Sequence, residues 1–503
     1  MYWGQQKISN LKPHLRSKIV AKHLLMMIRE SIFKEVGAKI CLEEVITDLK
    51  DLEENGILFK GKTVPVTVEF MLGDSLGQHL IGGFIESFSG EFMCRFCVIT
   101  RQDMKADPLI TKEPRTIADY NRCALRAMLT GSHCKGIKAT CELNQLKYFH
   151  ASSHLVPCVA HDCYEGAFSW DMAGIISGFV EKKWFSYKLL NKRIKKFKCV
   201  GVDSTNKPAF VPSDGEKLGG HAVQNWTMIR LFYFIIGDKI QNFEDDGWLL
   251  YLKLKELSEY FCAPSFKKID VPYIQDVLLP SYFHLRRTVL PKVEIRPKHH
   301  FVAHYPGLML KYGPLIYIWT LPFEQKHKFF KELMRNTKNF INPEFTCAER
   351  QQMYFCLTSL DPMFPDENIE SRREDLSANS LSGDLSVFIS SLNLIGWSSF
   401  PSVVANNGIN YKCKDVLILL ANDEMSLSIG TLKVIVSKGS HLNFILEVKD
   451  ANYIAAIGNY EIDLDSSGNF VMVSADSLKY PVPQPVYPIR GKMLFSLKHK
   501  ILI

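Results

Sequence analysis

Apolar residues recur at helical spacing from Leu11 to about Val36, at Ile19, Val20, Leu24, Met27, Ile28 and Ile32. They do so again from Lys39 to Glu54, at Ile40, Val45, Leu49 and Leu52. Positions three and four apart line one helical face, so two helices are predicted, the second stopping at Asn55-Gly56. Thr63–Leu72 (TVPVTVEFML) is β-branched and nearly alternating between Gly61 and Gly73, the pattern of a buried strand. Residues 116–290 read as mainly helical and include a buried helix from Val223 to Ile236. Residues 298–360 are helical again, interrupted at Pro306-Gly307 and Gly313-Pro314. Leu360–Gly383 is acidic, polar and Pro/Ser-containing, as a linker would be. After it come short β-rich runs, VLILLA, TLKVIVSK, HLNFILEVK and NFVMVS, which predict a small all-β domain, sandwich or barrel. The predicted fold class is thus α/β in the wide sense, or α+β.

Composition changes this picture little. Of 503 residues, 47% are hydrophobic and 23% charged, enough apolar material for a large core. A formal charge of +8 and a pI of about 8.7 favour a polyanionic partner without specifying one. The opening MYWGQQKISN has no charged-then-apolar leader, and the longest apolar stretches, Leu231–Gly237 and Val416–Ala421, are too short for a bilayer, so no membrane partner is expected. Thirteen cysteines, an odd count with one CxxC, read as reduced thiols plus a metal site and not as a disulfide framework.

Candidate chemistry concentrates in two places. Cys94-Arg95-Phe96-Cys97 puts two thiolates on one turn, and His300 and His304 stand one helical turn apart in an HxxxH. Together they could supply the tetrahedral two-sulfur, two-imidazole set that zinc prefers. Packed thiols and unliganded imidazoles explain each half equally well alone, and His299 competes as a ligand out of helical phase with His304. Asp74 lies 20 residues before Cys94, in the Gly-flanked turn that ends the predicted strand, and Glu324 lies 20 residues after His304. Two such acids have the chemistry to hold the divalent cations of a DNA strand-cleavage site. A helix N-terminal acid is the plainer account of Glu324 alone.

The motifs extend further. Gly73–His79 (GDSLGQH) leads into LIGGFIESFS and Cys94–Cys97; Tyr148–His150 (YFH) and His161–Gly166 (HDCYEG) follow. Then come Ala222–Trp226 (AVQNW), Leu231–Lys239, KHHFVAHYP around His300 and His304, and GPLIYIWTLPFEQKHKFFK around Glu324. From about Leu11 through Leu357 the chain resembles the transposases of CACTA (En/Spm-like) elements and their animal relatives. The resemblance implies an RNase H-like core with three catalytic acids, a large helical insertion between the second and third, and a zinc site bracing it. Residue by residue, Asp74 matches the second acid and Glu324 the third, with magnesium as the catalytic ion; Cys94, Cys97, His300 and His304 match the zinc ligands. The implied plan is a first core part with the CxxC at 1–115, the helical insertion at 116–290, and a second core part with the HxxxH and Glu324 at 291–359. A linker at 360–385 and a β-rich domain at 386–503 complete it. DNA is the implied partner, the nucleus the implied location, and a homo-oligomer an expected state.

One departure bears on activity. In the family the first Asp stands on the first strand of the sheet, upstream of the helix predicted here from Leu11. Ten residues cannot hold a three-stranded meander at about five residues per strand plus turns, and residues 1–12 contain no acid. The first catalytic strand is therefore expected to be missing and the strand at 63–72 to expose an edge. The expected function is that of a transposase-derived protein, inactive alone as a strand transferase; the alternative is a non-enzymatic, zinc-braced nucleic-acid-binding or scaffold protein. Asp162 and Glu165 are weaker candidates as substitute acids, since capping or internal hydrogen bonding explains them. A hydrolase built on Asp74, His79 or His161 is a third reading, with no GxSxG, HExxH or P-loop signature behind it.

The run Lys182–Lys198 (KKWFSYKLLNKRIKKFK) holds eight Lys/Arg in 17 residues with aromatic side chains between them. Lys182, Lys183, Lys192, Arg193, Lys195 and Lys196 are the candidate DNA contacts. A solvated amphipathic helix accounts for them equally.

Overall fold

Where the apolar spacing predicts a helix over 11–36, the chain makes a strand. In the computed structural model, which describes residues 2–213, 215–338, 340–360, 368–373, 383–423, 425–466 and 468–501, Tyr2–Lys7 pairs antiparallel with Lys22–Ile28, from Tyr2 opposite Ile28 to Lys7 opposite Lys22. A short helix, Pro13–Arg16, and a 3-10 turn, Ile19–Ala21, lie between them. The run Leu24–Ile28 is apolar at every position, so it satisfies helical spacing and a strand alike, and pairing with the preceding segment decides for the strand. The ten residues before Leu11 thus carry one strand of a two-stranded sheet. Neither strand bears a carboxylate, because the first acid of the chain is Glu30.

The second predicted helix is real and longer, Glu30–Asn55, broken at Gly37 with φ 80°. It buries Phe33, Leu42, Ile46 and Leu49. Gly56 ends it at φ 67°, where an added Cβ would lie 2.5 Å from the Val64 carbonyl oxygen, so this turn requires glycine.

The buried strand predicted over 63–72 is not formed. Ile57–Phe59 and Lys62–Val64 make an exposed hairpin. Pro65, which has no N–H to donate, ends that ladder. Residues 65–70 belong to no strand or helix, yet Val66, Val68 and Phe70 are half-buried while Thr67 and Glu69 are exposed, so the alternation survives without a sheet. The segment's single ladder contact is Met71 beside Leu155, with the Met71 amide donating to His154 at 3.0 Å.

Helices and strands mix throughout in an α+β arrangement, and the chain divides into two compact units. One is Met1–Gly174 with Phe261–Met363; the other is Ile175–Tyr260 with Phe364–Ile503. These units cut across the segments expected from the sequence, because Ile175–Tyr260 groups with the β-rich C-terminal residues. In the first unit, one core gathers Leu49, Phe84, Tyr120, Phe149 and Leu155, and another gathers Met93, Cys94, Cys97, Ile99, Met104 and Phe301.

In the second unit the four predicted β runs are the strands Val416–Ala421, Ser426–Lys438, His441–Ile454 and Asn469–Ser474. They belong to a curled antiparallel sheet of nine strands. Side chains alternate across a strand, which sends Leu417 into one core with Leu432, Phe444 and Leu446 and its neighbour Ile418 into another with Leu427, Ile429 and Phe495. The helix predicted at 223–236 is Ala222–Ile236, buried on nearly every side. Of the expected linker, residues 361–367 and 374–382 lie outside the described residues. No helix among the described residues is long and apolar enough to cross a membrane.

Candidate metal centre

Two local structures present the sulfur and nitrogen atoms, both in the first unit. Cys94 and Cys97 lie on the loop before the helix Arg101–Ala106, which Thr100 caps by accepting from the Asp103 amide. The Phe96 amide donates to Cys94 Sγ at 3.3 Å and folds the CxxC into a turn. Arg115 Nε donates to the Cys94 carbonyl at 2.9 Å and fixes the loop from the other side. His300 lies on the helix Pro297–Ala303, which opens with a proline at a first-turn position where no amide bond is lost. His304 follows at the junction with Tyr305–Tyr312.

The two pairs, 203 and 210 residues apart in sequence, meet. Cys97 Sγ lies 3.3 Å from His300 Nε2, Cys94 Sγ 3.6 Å from His304 Nε2, and the two Nε2 atoms are 3.0 Å apart. All four ligand atoms fall within 4.8 Å of one another, and among the described residues this is the one group of three or more Cys, His, Asp or Glu arranged to hold a metal ion. Cys94, Cys97 and His300 are fully buried and His304 half-buried. The other ring nitrogen of His300 meets the Pro108 carbonyl at 2.9 Å. That partner fixes the tautomer with a proton on Nδ1 and a lone pair on Nε2. Burial alone would raise the Cys94 thiol, but hydrogen bonds with Cys97 and the Phe96 amide and the charge of Arg115 draw it below its ordinary value. The hydrogen bond with Cys94, reinforced by burial, raises Cys97. Burial lowers His304, which keeps its ring neutral and able to donate an electron pair.

His299, the rival ligand, points away. Its Nε2 lies 3.1 Å from Asp171 Oδ1 and its Nδ1 accepts from the Arg296 amide at 3.0 Å. Asp171, fully buried, also accepts from Arg286 Nε at 2.9 Å and from the Tyr282 hydroxyl. This cluster anchors the first turn of the helix that carries His300.

The two acids are differently engaged. Asp74 is exposed and caps the helix Ser75–Ile81, its Oδ1 accepting from the Gly77 amide at 2.7 Å. Glu324, half-buried in the first turn of Leu321–Thr337, lies 3.3 Å from His161 Nε2. His161 sits in a π-helical turn, Ala160–Ala167, and its Nδ1 contacts Cys158 Sγ at 3.3 Å and Thr320 Oγ1 at 3.1 Å. Burial would lower His161, but Cys158, Glu324 and Glu165 outweigh it and push the ring up to about 9, so it is an imidazolium at neutral pH. Glu165 lies 3.8 Å from the same ring. His79 is buried with Nδ1 2.7 Å from the Ile85 carbonyl, and burial, then the charge of Arg95, pushes it down to about 4.

Asp162 is a hub that sequence reasoning underrated. Fully buried, it accepts from Ser75 Oγ at 2.9 Å, the Tyr305 hydroxyl at 3.2 Å and the Cys158 amide at 3.3 Å, and it pairs with Arg95 at 3.7 Å. It therefore links the residue after Asp74, the middle of the CxxC and the residue after His304. Its signal in the sequence was an acid, one of two with Glu165, inside a largely apolar stretch (VAHDCYEGAF).

The basic run lies in the second unit, largely on the helix Tyr187–Lys196, with Leu190 buried. Lys182 pairs with Asp245, and Arg193 with Asp238. Lys183, Lys192, Lys195 and Lys196 are exposed.

These four residues, three buried and one half-buried, could hold a metal ion. In comparisons with known proteins, no family model and no curated protein matches the chain.

Proposed function

We propose that this chain is a transposase-derived, DNA-binding protein of the CACTA type, whose core is braced by zinc and which does not transfer strands by itself. The observation that carries the reading is the convergence of Cys94, Cys97, His300 and His304, the four residues that the resemblance requires to meet. A tetrahedral zinc, with sulfur at about 2.3 Å and nitrogen at about 2.0 Å, separates its ligand atoms by roughly 3.3–3.8 Å. The separations of 3.0, 3.3 and 3.6 Å lie close to that range. Zinc there would tie the loop after Asp74 to the helix before Glu324. The order strand, strand, helix, extended segment and Asp74 supports an RNase H-like core in this reading.

The acids fit a binding role better than magnesium catalysis. Asp74 is committed to a helix cap and Glu324 to an imidazolium. Among the described residues neither acid belongs to a group of three or more ligand atoms arranged to hold a metal ion, and Glu165 shares the His161 ring with Glu324. This favours the non-enzymatic form of the reading, a nuclear nucleic-acid-binding protein that has kept the zinc scaffold. Asp74→Ala should then cost only the cap, about 1 kcal/mol in urea unfolding.

A plasmid-nicking assay with magnesium or manganese, run beside a DNA-binding titration, tests the proposal. The expected outcome is binding that weakens steeply with salt and no metal-dependent nicking. Nicking that disappears in Asp74→Ala and Glu324→Ala would overturn the inactive reading, and no binding at low salt would overturn the whole.

A further inference from the structure

In the second unit an uneven distribution of charge surrounds Asp238. Arg193 grips this carboxylate with both terminal nitrogens, Nη2 at 2.8 Å from Oδ2. Arg490 Nη2 and Lys239 Nζ each approach it to 3.7 Å. Three cations thus share one carboxylate, a local surplus of two positive charges. Beside them is an open cavity of about 250 Å³ lined by Arg193, Tyr233, Asp238 and Arg490 among others.

Backbone geometry holds Arg490 there. Ile489 pairs with Lys492, leaving Arg490 and Gly491 as a two-residue hairpin turn with φ of 52° and 79°. Positive φ at both positions is the twist-matched turn for antiparallel strands. A non-glycine residue in that conformation is uncommon, and here it sets a half-exposed guanidinium at the cavity mouth.

The neighbouring helix continues the charge. Lys192 and Lys196 stand four apart, and Lys196 stands three from Arg193, so these side chains share adjoining faces of Tyr187–Lys196. Lys188, Lys192, Lys195 and Lys196 are exposed, and among the described residues no ion pair engages them as one does Lys182 and Arg193. From Lys188 to Lys196 the helix rises about 12 Å, roughly three to four phosphates of one DNA strand at about 3.4 Å each.

We infer that the cavity lined by Arg193 and Arg490, with Lys239 beside its Asp238, is a subsite for a backbone phosphate of duplex DNA, and that the lysine face of the adjacent helix extends the track. Arg490, which approaches Asp238 only to 3.7 Å, offers guanidinium N–H groups to phosphate oxygens, whereas Arg193, bound to Asp238 by both terminal nitrogens, and the lysines add positive charge. The contact reads no base edge, so it positions DNA without sequence preference. The inference rests on the DNA-binding reading above and adds the surface that performs it.

Fluorescence anisotropy of the full chain with a 20-base-pair duplex of arbitrary sequence tests it, across roughly 50–200 mM salt. Arg490→Gln should weaken binding about 3- to 10-fold and lower the slope of log affinity against log salt by about one. The triple variant Lys192→Gln, Lys195→Gln, Lys196→Gln should lower the slope by about two to three. Lys62→Gln, in the exposed hairpin of the other unit, should change neither. If the wild type binds and both basic variants match it, this subsite is overturned and the DNA-binding reading stands. If the wild type binds no duplex even at low salt, both fall together.

Discussion

Cys97→Ser is expected to release the bound metal and lower the melting temperature by roughly 5–10 °C, equivalent to about 3 kcal/mol or more in a unit of this size. The reason is geometric. Two loop sulfurs and two helix nitrogens meet from segments 203 and 210 residues apart, so an ion held by them would close a very long loop, and its binding free energy would become folding free energy. Without it, the fully buried Cys94 and His300 face each other with polar atoms that no water reaches. A chelator should therefore reproduce the effect in the wild type and add nothing in the variant. Thermal melts of both proteins with and without chelator check this. His300→Ala should behave alike, because it removes the Nε2 that lies 3.3 Å from Cys97 Sγ together with the ring's hydrogen bond to the Pro108 carbonyl.

Asp171→Asn should cost about 3–5 kcal/mol, the penalty for stranding buried positive charge. Arg286 and His299 are both buried against this carboxylate, and the Tyr282 hydroxyl donates to it as well. Burial alone would raise the Asp171 carboxyl, yet His299 and Arg286 outweigh it and hold it well below the usual carboxylate range. The sign of the pH dependence follows. The unfolded chain takes up the proton near pH 4 while the folded carboxylate stays ionised, so the unfolded state binds more protons in that window. The stabilisation from Asp171 is therefore present above about pH 4 and drains away as pH falls towards the folded value. Urea unfolding of wild type and variant at successive pH values should show a wide gap at pH 6 that narrows below about pH 4. A gap independent of pH would mean that the contribution is one of packing. Because Asp171 also holds His299, the residue before a metal ligand, the variant should lose metal to a chelator faster than wild type.

What the sequence could disclose depended on whether the deciding contact was local. The helix Glu30–Asn55 and the C-terminal strands are legible because burial follows their own period, as with Leu417 and Ile418 on opposite faces. Lys22–Ile28 is misread because an unbroken apolar run carries no period, and only its pairing with Tyr2–Lys7 settles its form. At 63–72 the alternation is correctly seen, but a strand needs a neighbour, and after Pro65 the chain has almost none. Within the candidate site, CxxC and HxxxH are visible as halves. Their meeting is a property of the tertiary fold, as is the diversion of His299 to an acid 128 residues away. Likewise nothing in KKWFSYKLLNKRIKKFK distinguishes Lys182 and Arg193, which find carboxylates, from the lysines beside them.

We propose that Cys94, Cys97, His300 and His304 form a structural zinc site. Elemental analysis of the purified full chain, without added metal, tests it most directly. One equivalent of zinc per chain, falling to a small fraction in Cys97→Ser and unchanged in Glu324→Gln, is the predicted result. A wild-type chain that is folded and free of zinc, or a Cys97→Ser chain that keeps its full equivalent, would contradict it.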